Sequence, residues 1–110
     1  MNIRRLFCAG VAAVMLAAVA PASAQEMSIT IKDHKFQPAE LKVPAKKRIT
    51  LTVINSDATP EEFESKVLKV EKVIPGKSKA VVRFGPLEPG RYEFVGEFHE
   101  DTAKGVVIAE

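Results

Sequence analysis

Carboxylates and a histidine near the end of the chain have types and a spacing that could hold a metal ion. Glu97 and His99 lie two residues apart in a polar loop, and Asp101 follows two residues later. Residues two apart in an extended segment point to the same side, and oxygen with imidazole ligands suits iron, manganese or Cu(II). The loop therefore predicts a ligand group around His99. A solvated acidic loop has the same composition, and that alternative stays open.

Earlier parts of the chain contain four further candidate ligands. Glu62 and Glu64 flank Phe63, so in an extended segment both carboxylates share one face while Phe63 fills the core. A solvated, charged strand edge gives the same pattern. Glu71 is either a ligand or a surface charge, and His34 is either a ligand or an exposed turn histidine. The sequence therefore predicts these four side chains as additional metal ligands.

No arrangement typical of an enzyme is present. The sequence contains no Ser-His-Asp, Cys-His or phosphate-loop pattern, so no catalytic residue and no residue for an organic cofactor is predicted. A hydrolase using Glu62 and Glu64 as a carboxylate pair would need a substrate cleft, which a domain this small does not indicate.

The first residues have the pattern of an export signal. Arg4 and Arg5 precede an apolar run over residues 6–20, and Ala22-Ser23-Ala24 matches a small-x-small cleavage site. We predict a signal peptide over residues 1–24, a periplasmic mature domain over residues 25–110, and no stable membrane insertion after cleavage. An uncleaved anchor is the alternative.

Removal of the predicted leader changes both the net charge and the cysteine content of the chain. Arg4 and Arg5 account for the excess of 16 basic over 14 acidic residues. A neutral mature domain gives no support to nucleic-acid binding. The single cysteine, Cys8, lies in the leader, so no disulfide is predicted and the apolar core must hold the fold.

Alternating apolar residues indicate β-strands along the whole mature chain. Met27, Ile29 and Ile31 alternate with polar residues, the segment 48–55 is rich in β-branched residues, and turn residues recur every eight to twelve positions. This spacing predicts one all-β domain, a single antiparallel Greek-key β-sandwich of about seven strands.

The C-terminal segment resembles the metal-binding segment of cupredoxins, the blue-copper proteins. Tyr92-Glu-Phe94-Val-Gly96-Glu-Phe-His99 matches their Tyr-x-Phe-x-Cys-x-x-His, but the Cys position holds Gly96 and the later Met position holds Thr102. The position of the family's earlier histidine is assigned to Glu62. The resemblance thus implies a cupredoxin fold that keeps only His99 of the four usual copper ligands. Type-1 copper requires a Cys thiolate, so blue-copper electron transfer is excluded.

A narrower resemblance concerns iron uptake. The pattern Glu62-Phe63-Glu64 … Glu71 … Ile74-x-Gly76 is similar to the cupredoxin domains of bacterial periplasmic iron-uptake systems that work beside an Ftr/Efe-type permease. It implies that the protein captures iron, with an accessory role in ferrous iron oxidation as an option. Its partners would be an inner-membrane iron permease and other periplasmic iron-uptake components. A Cu(II) carrier and a metal-free sandwich that binds a protein partner are the alternatives.

Overall fold

A computed structural model describes residues 24–110, so the predicted signal peptide lies outside the described residues except for Ala24. The described chain forms nine strands and one short 3-10 helix. In chain order these are β1 (Gln25–Lys32), β2 (Lys35–Gln37), β3 (Glu40–Val43), β4 (Ile49–Asn55), β5 (Glu61–Ser65), β6 (Val70–Ile74), β7 (Ser78–Phe84), β8 (Gly90–Gly96), the helix η1 (Glu97–His99) and β9 (Lys104–Ala109). Within this range, no helix is long and apolar enough to cross a bilayer.

The strands form two sheets, which confirms the predicted all-β sandwich. One sheet has the order β2-β1-β4-β7 and the other has the order β3-β9-β8-β5-β6. Five strand pairs are antiparallel, whereas β1–β4 and β3–β9 are parallel. Alternating hydrophobicity indicates a strand and its buried face but not the direction of its neighbour, so the parallel pairs were not foreseen. The strand number exceeds the expected seven because several strands, such as β2, are very short.

The inward-facing side chains of both sheets form one apolar core. Strand β4 shows the alternation most clearly, with Ile49, Leu51 and Val53 fully buried between half-exposed residues. Toward β5 and β8 the core is aromatic. Phe63 stacks on Phe94 at a ring-centroid distance of 4.8 Å, and Phe36 packs edge-on against Phe94 at 4.9 Å. This aromatic cluster is a rigid base for the strand ends and η1, because interdigitated rings leave little room to move.

Candidate metal centre

Strand β5 sends carboxylates to both faces of its sheet. Glu61, Phe63 and Ser65 point inward and are buried, while Glu62 and Glu64 point outward and are half-buried. This follows from the period of two along a strand. The candidate ligands are consequently divided between two regions on opposite sides of the sheet.

The outward region is a group of carboxylates, here called the outer cluster, formed by Glu62, Glu71 and Glu97. One carboxylate oxygen from each lies within 4.8 Å of those of the other two. Strand β6 supplies Glu71, and Glu97 opens η1 directly after β8. The ladder between β5 and β8 pairs Phe63 with Gly96, which brings the next residues on each side, Glu62 and Glu97, opposite one another. Glu64 lies beside the cluster, directly across the strand pair from Glu71.

The pKa of Glu97 reflects the crowding of carboxylates in the outer cluster. A hydrogen bond with Glu62 raises the pKa of the Glu97 carboxyl above its ordinary value. Partial loss of solvent and the charges of Glu62 and Glu71 raise this pKa further, whereas a hydrogen bond with Glu64 opposes the shift. Like charges in one site favour the protonated form of one member. A bound cation would stabilise the same group in its ionised form.

The inward region is centred on Glu61, which is only 1% exposed. Its Oε1 accepts hydrogen bonds from the backbone N–H groups of Glu62 and Phe98, at 3.0 and 2.9 Å. Its Oε2 lies 2.6 Å from Nδ1 of His99. These three contacts of Glu61, with Glu62, Phe98 and His99, are called the inner carboxylate contacts. Both oxygens of the buried carboxylate are therefore satisfied by the protein itself, as burial of such a group requires.

The two histidines of the chain stack on one another at this end of the sandwich. The rings of His34 and His99 are nearly parallel, with centroids 3.5 Å apart. His34 occupies the turn between β1 and β2 with φ of 56°, and its carbonyl accepts a hydrogen bond from the Thr102 hydroxyl at 2.7 Å. The turn at His34 is thus attached to the loop that follows His99, so His34 is not a freely exposed turn residue.

Asp57 fixes the backbone of the turn that carries His34. Its two carboxylate oxygens accept the N–H groups of Asp33 and His34 at 2.8 and 2.9 Å. Partial desolvation of Asp57 raises the pKa of this carboxyl, but the two hydrogen bonds together with the positive charges of His34 and Lys77 outweigh it and lower the pKa below its ordinary value. The shift means that the ionised side chain stabilises the turn.

The structure divides the predicted ligands. It brings Glu62, Glu71 and Glu97 together, with Glu64 adjacent. It places both histidines in the inward region, where His99 contacts Glu61 and the His34 ring stacks on the His99 ring. Asp101 is exposed in the turn between η1 and β9. Within residues 24–110, the outer cluster is the one group of three acidic or histidine residues with mutually close ligand atoms.

Glu61 is the residue that sequence reasoning missed. The resemblance assigns the position of the family's earlier histidine to Glu62, whereas the residue beside the His99 imidazole is Glu61, one position earlier. The signal was present in the sequence, since Glu61 and the core residue Phe63 are two apart and must share the inward face. Gly96 makes room for it, because a Cβ at that glycine would lie 2.7 Å from the Glu61 carboxyl carbon.

Comparison with known proteins supports the fold seen here. The model of the family described as cupredoxin-like domain matches residues 6–109. An uncharacterized protein of Rickettsia prowazekii (strain Madrid E) is 47% identical over 83 residues, covering 76% of this chain and 66% of that protein. The chain therefore spans slightly less than two thirds of that relative's length.

Several solved structures have the same fold at low sequence identity. Auracyanin A, a blue copper protein from Chloroflexus aurantiacus, has a TM-score of 0.66 at 15% identity, covering 80% of this chain and all of that chain. The metal-binding domain of a Streptococcus pneumoniae Cu(I)-exporting P-type ATPase has a TM-score of 0.62 at 20% identity, covering 77% and 84%. A purple cupredoxin from Nitrosopumilus maritimus has a TM-score of 0.57 at 19% identity, covering 76% and 99%.

Proposed function

Since the chain belongs to the family of cupredoxin-like domains, we propose that it is a periplasmic metal-binding protein that captures iron at the outer cluster and delivers it to an inner-membrane permease. The observation that carries this proposal is the close approach of three carboxylates, Glu62, Glu71 and Glu97, without a neutralising partner among the described residues.

The residues present do not fit a type-1 copper centre. Such a centre needs a Cys thiolate in its trigonal plane, and residues 24–110 contain no cysteine. Gly96 stands where the family has its cysteine, and the Glu61 carboxylate fills the space beside it. The protein should accordingly give no intense charge-transfer band at roughly 600 nm with Cu(II), because that band requires the thiolate.

The ligand chemistry of the outer cluster favours iron as the transported ion. Carboxylate oxygens are hard ligands that suit iron and manganese better than Cu(I). The cluster lies on the outer face of the sheet, with Glu71 and Glu97 exposed, so an ion there is accessible to a partner. Carboxylates exchange their metal more readily than a closed thiolate cage does, and a delivery protein needs capture with easy release.

The role beside a permease rests on the pattern of the same residues. Glu62, Glu64 and Glu71 carry the similarity to the cupredoxin domains of iron-uptake systems, and Glu62 and Glu71 are also members of the outer cluster. Export through residues 1–24 would place the protein in the compartment where such a permease takes up its ion.

A Cu(II) carrier is the second candidate. The structural neighbours described as blue copper and Cu(I)-exporting proteins favour it, as does the generally higher affinity of protein sites for Cu(II) than for Fe(II). In that case His99, which is partly exposed next to Glu61, would be expected among the ligands rather than the outer cluster.

Calorimetric titration of residues 25–110 with Fe(II), Fe(III), Cu(II) and Mn(II) separates these functions. We expect Fe binding that Glu62→Gln abolishes and that His99→Ala and the control Glu40→Gln preserve, since Glu40 is an exposed residue of the distant strand β3. Cu(II) binding lost only in His99→Ala would favour the copper carrier. Absence of binding by all four ions would favour a metal-free interaction module and contradict the proposal.

A further inference from the structure

We propose that Glu61 is a positioning residue that holds Glu62 and Glu97 at ligand distance from one another. This inference rests on the proposed function, because it concerns the same metal site. Glu61 itself lies on the opposite side of the sheet from the outer cluster and is buried, so it does not bind the ion.

The hydrogen bonds of Glu61 join the two backbone segments that carry the outer carboxylates. One oxygen accepts the N–H of Glu62 and the N–H of Phe98, the residue after Glu97. The other oxygen contacts His99 at the end of η1. A single buried side chain therefore links the first residues of β5 to Phe98 and His99 of η1.

This link continues the sheet where its backbone pairing stops. Strands β5 and β8 are paired at Glu64–Val95 and Phe63–Gly96. Strand β8 ends at Gly96, and η1 begins at the residue that follows it. From that point, the Glu61 carboxylate spans the two segments in place of a backbone ladder. The hydrogen bonds are part-buried, so water competes with them less than at an exposed site.

Helix η1 needs such support to hold Glu97 in the outer cluster. The helix has only three residues, none of them buried, and the preceding N-cap residue, Gly96, provides no side-chain cap. The carboxylates of Glu62 and Glu97 repel one another when both are ionised. Without the two hydrogen bonds that Glu61 accepts from the N–H groups of Glu62 and Phe98, this repulsion would be expected to move η1 away from β5 and to separate the ligands.

Two substitutions separate positioning from the charge or the bulk of Glu61. In Glu61→Gln the side-chain oxygen can still accept both backbone N–H groups, and the amide nitrogen can donate to the other tautomer of His99. Glu61→Leu has a similar volume but accepts no hydrogen bond. The test uses residues 25–110 and two measurements. Anaerobic calorimetry would give the Fe(II) affinity, and NMR would give the hydrogen-exchange rate of the Phe98 amide.

We expect Glu61→Gln to bind Fe(II) within about threefold of wild type and to keep the Phe98 amide protected. Glu61→Leu should bind at least about tenfold more weakly, as when the hydrogen-bonded supports of metal ligands are removed, with fast exchange at Phe98. If the Leu variant does not fold, Glu61→Asp replaces it, because its shorter side chain cannot reach both amides and Nδ1 of His99.

Equal Fe(II) affinity in wild type and a folded Leu variant would overturn the inference. Equal loss in the Gln and Leu variants would also overturn it, since that pattern assigns the effect to the charge of Glu61. Absence of Fe(II) binding in wild type contradicts the proposed function, and the amide exchange then decides separately: protection of Phe98 in the Leu variant shows that Glu61 does not hold η1.

Discussion

The inward and outward faces of strand β5 hold carboxylates under opposite electrostatic conditions. Glu61 is almost fully buried, but its oxygens accept two backbone N–H groups and lie against Nδ1 of His99. Glu62 is nearer to solvent, and it faces the carboxylates of Glu71 and Glu97. The buried carboxylate is thus surrounded by hydrogen-bonding partners, whereas the less buried one faces other acidic side chains. The outward face therefore gains from a cation, whereas the inward face is already satisfied.

The largest effect on stability is expected from the inward face. Glu61→Leu leaves the part-buried N–H groups of Glu62 and Phe98 without their acceptor, and a donor that is partly shielded from water and has no acceptor is costly. We expect the free energy of unfolding to fall by about 3 kcal/mol, measured by urea denaturation. The matched change Glu40→Leu, on an exposed position of β3, should change it by less than about 0.5 kcal/mol. Similar losses for both variants would show that the inner contacts contribute little.

The turn that positions His34 should contribute the next largest effect. Asp57→Ala removes the acceptors of two backbone N–H groups, of Asp33 and His34, and should lower the free energy of unfolding by about 1 kcal/mol, because water partly replaces the acceptor at this mainly exposed site. Because the folded-state pKa of Asp57 is lowered, this contribution is complete above the unfolded pKa of about 3.9 and is lost as pH falls through the lower folded value. Urea denaturation at a series of pH values should show the two curves converging in acid. Parallel curves would contradict the assignment to the ionised Asp57.

Metal binding at the outward face should depend on pH through Glu97. The pKa of this carboxyl is raised, so protons compete with the ion at a pH above the ordinary glutamate range of about 4.3. Affinity should be constant above that pKa and fall about tenfold per pH unit below it when one proton is displaced. Calorimetry across this range provides the test, and Glu97→Gln should remove this Glu97-linked step. An affinity that first declines well below about pH 4 would exclude Glu97 as a ligand.

The smallest effect concerns the apo protein and has the opposite sign to the effect at Glu61. Glu64 and Glu71 face one another directly across β5 and β6, and like charges in that position are destabilising. Glu71→Gln should therefore raise the free energy of unfolding by about 0.5 kcal/mol without metal. Urea denaturation at low ionic strength measures it, and added salt should reduce the difference. A loss of stability would mean that the outer carboxylates already have compensating partners.

The sandwich could be predicted because its strands show strong alternation. In β4 the pattern of Ile49, Leu51 and Val53 gives both the element and its buried face. The parallel partners of β1 and β3 could not be predicted, since they depend on which distant strand packs alongside.

The candidate ligands could be predicted as residue types, but their grouping could not. The two-residue spacing of Glu62 and Glu64 correctly placed both on one face. The equal spacing of Glu97 and His99 suggested a shared side, but these residues form η1 rather than a strand. In a 3-10 helix, residues two apart point in different directions. Glu97 therefore joins the outer cluster while His99 bonds to Glu61.

The central claim is that the outward face, and not the inward histidine end, binds the ion. The most direct measurement is the melting temperature of residues 25–110 with and without Fe(II), under anaerobic conditions at neutral pH. At an ion concentration one hundred times Kd, binding adds about 2.7 kcal/mol to the stability of the folded state. We expect wild type, His99→Ala and Glu40→Gln to show the full rise, and Glu62→Gln to lose most of it. A full rise in Glu62→Gln together with its loss in His99→Ala would contradict the account.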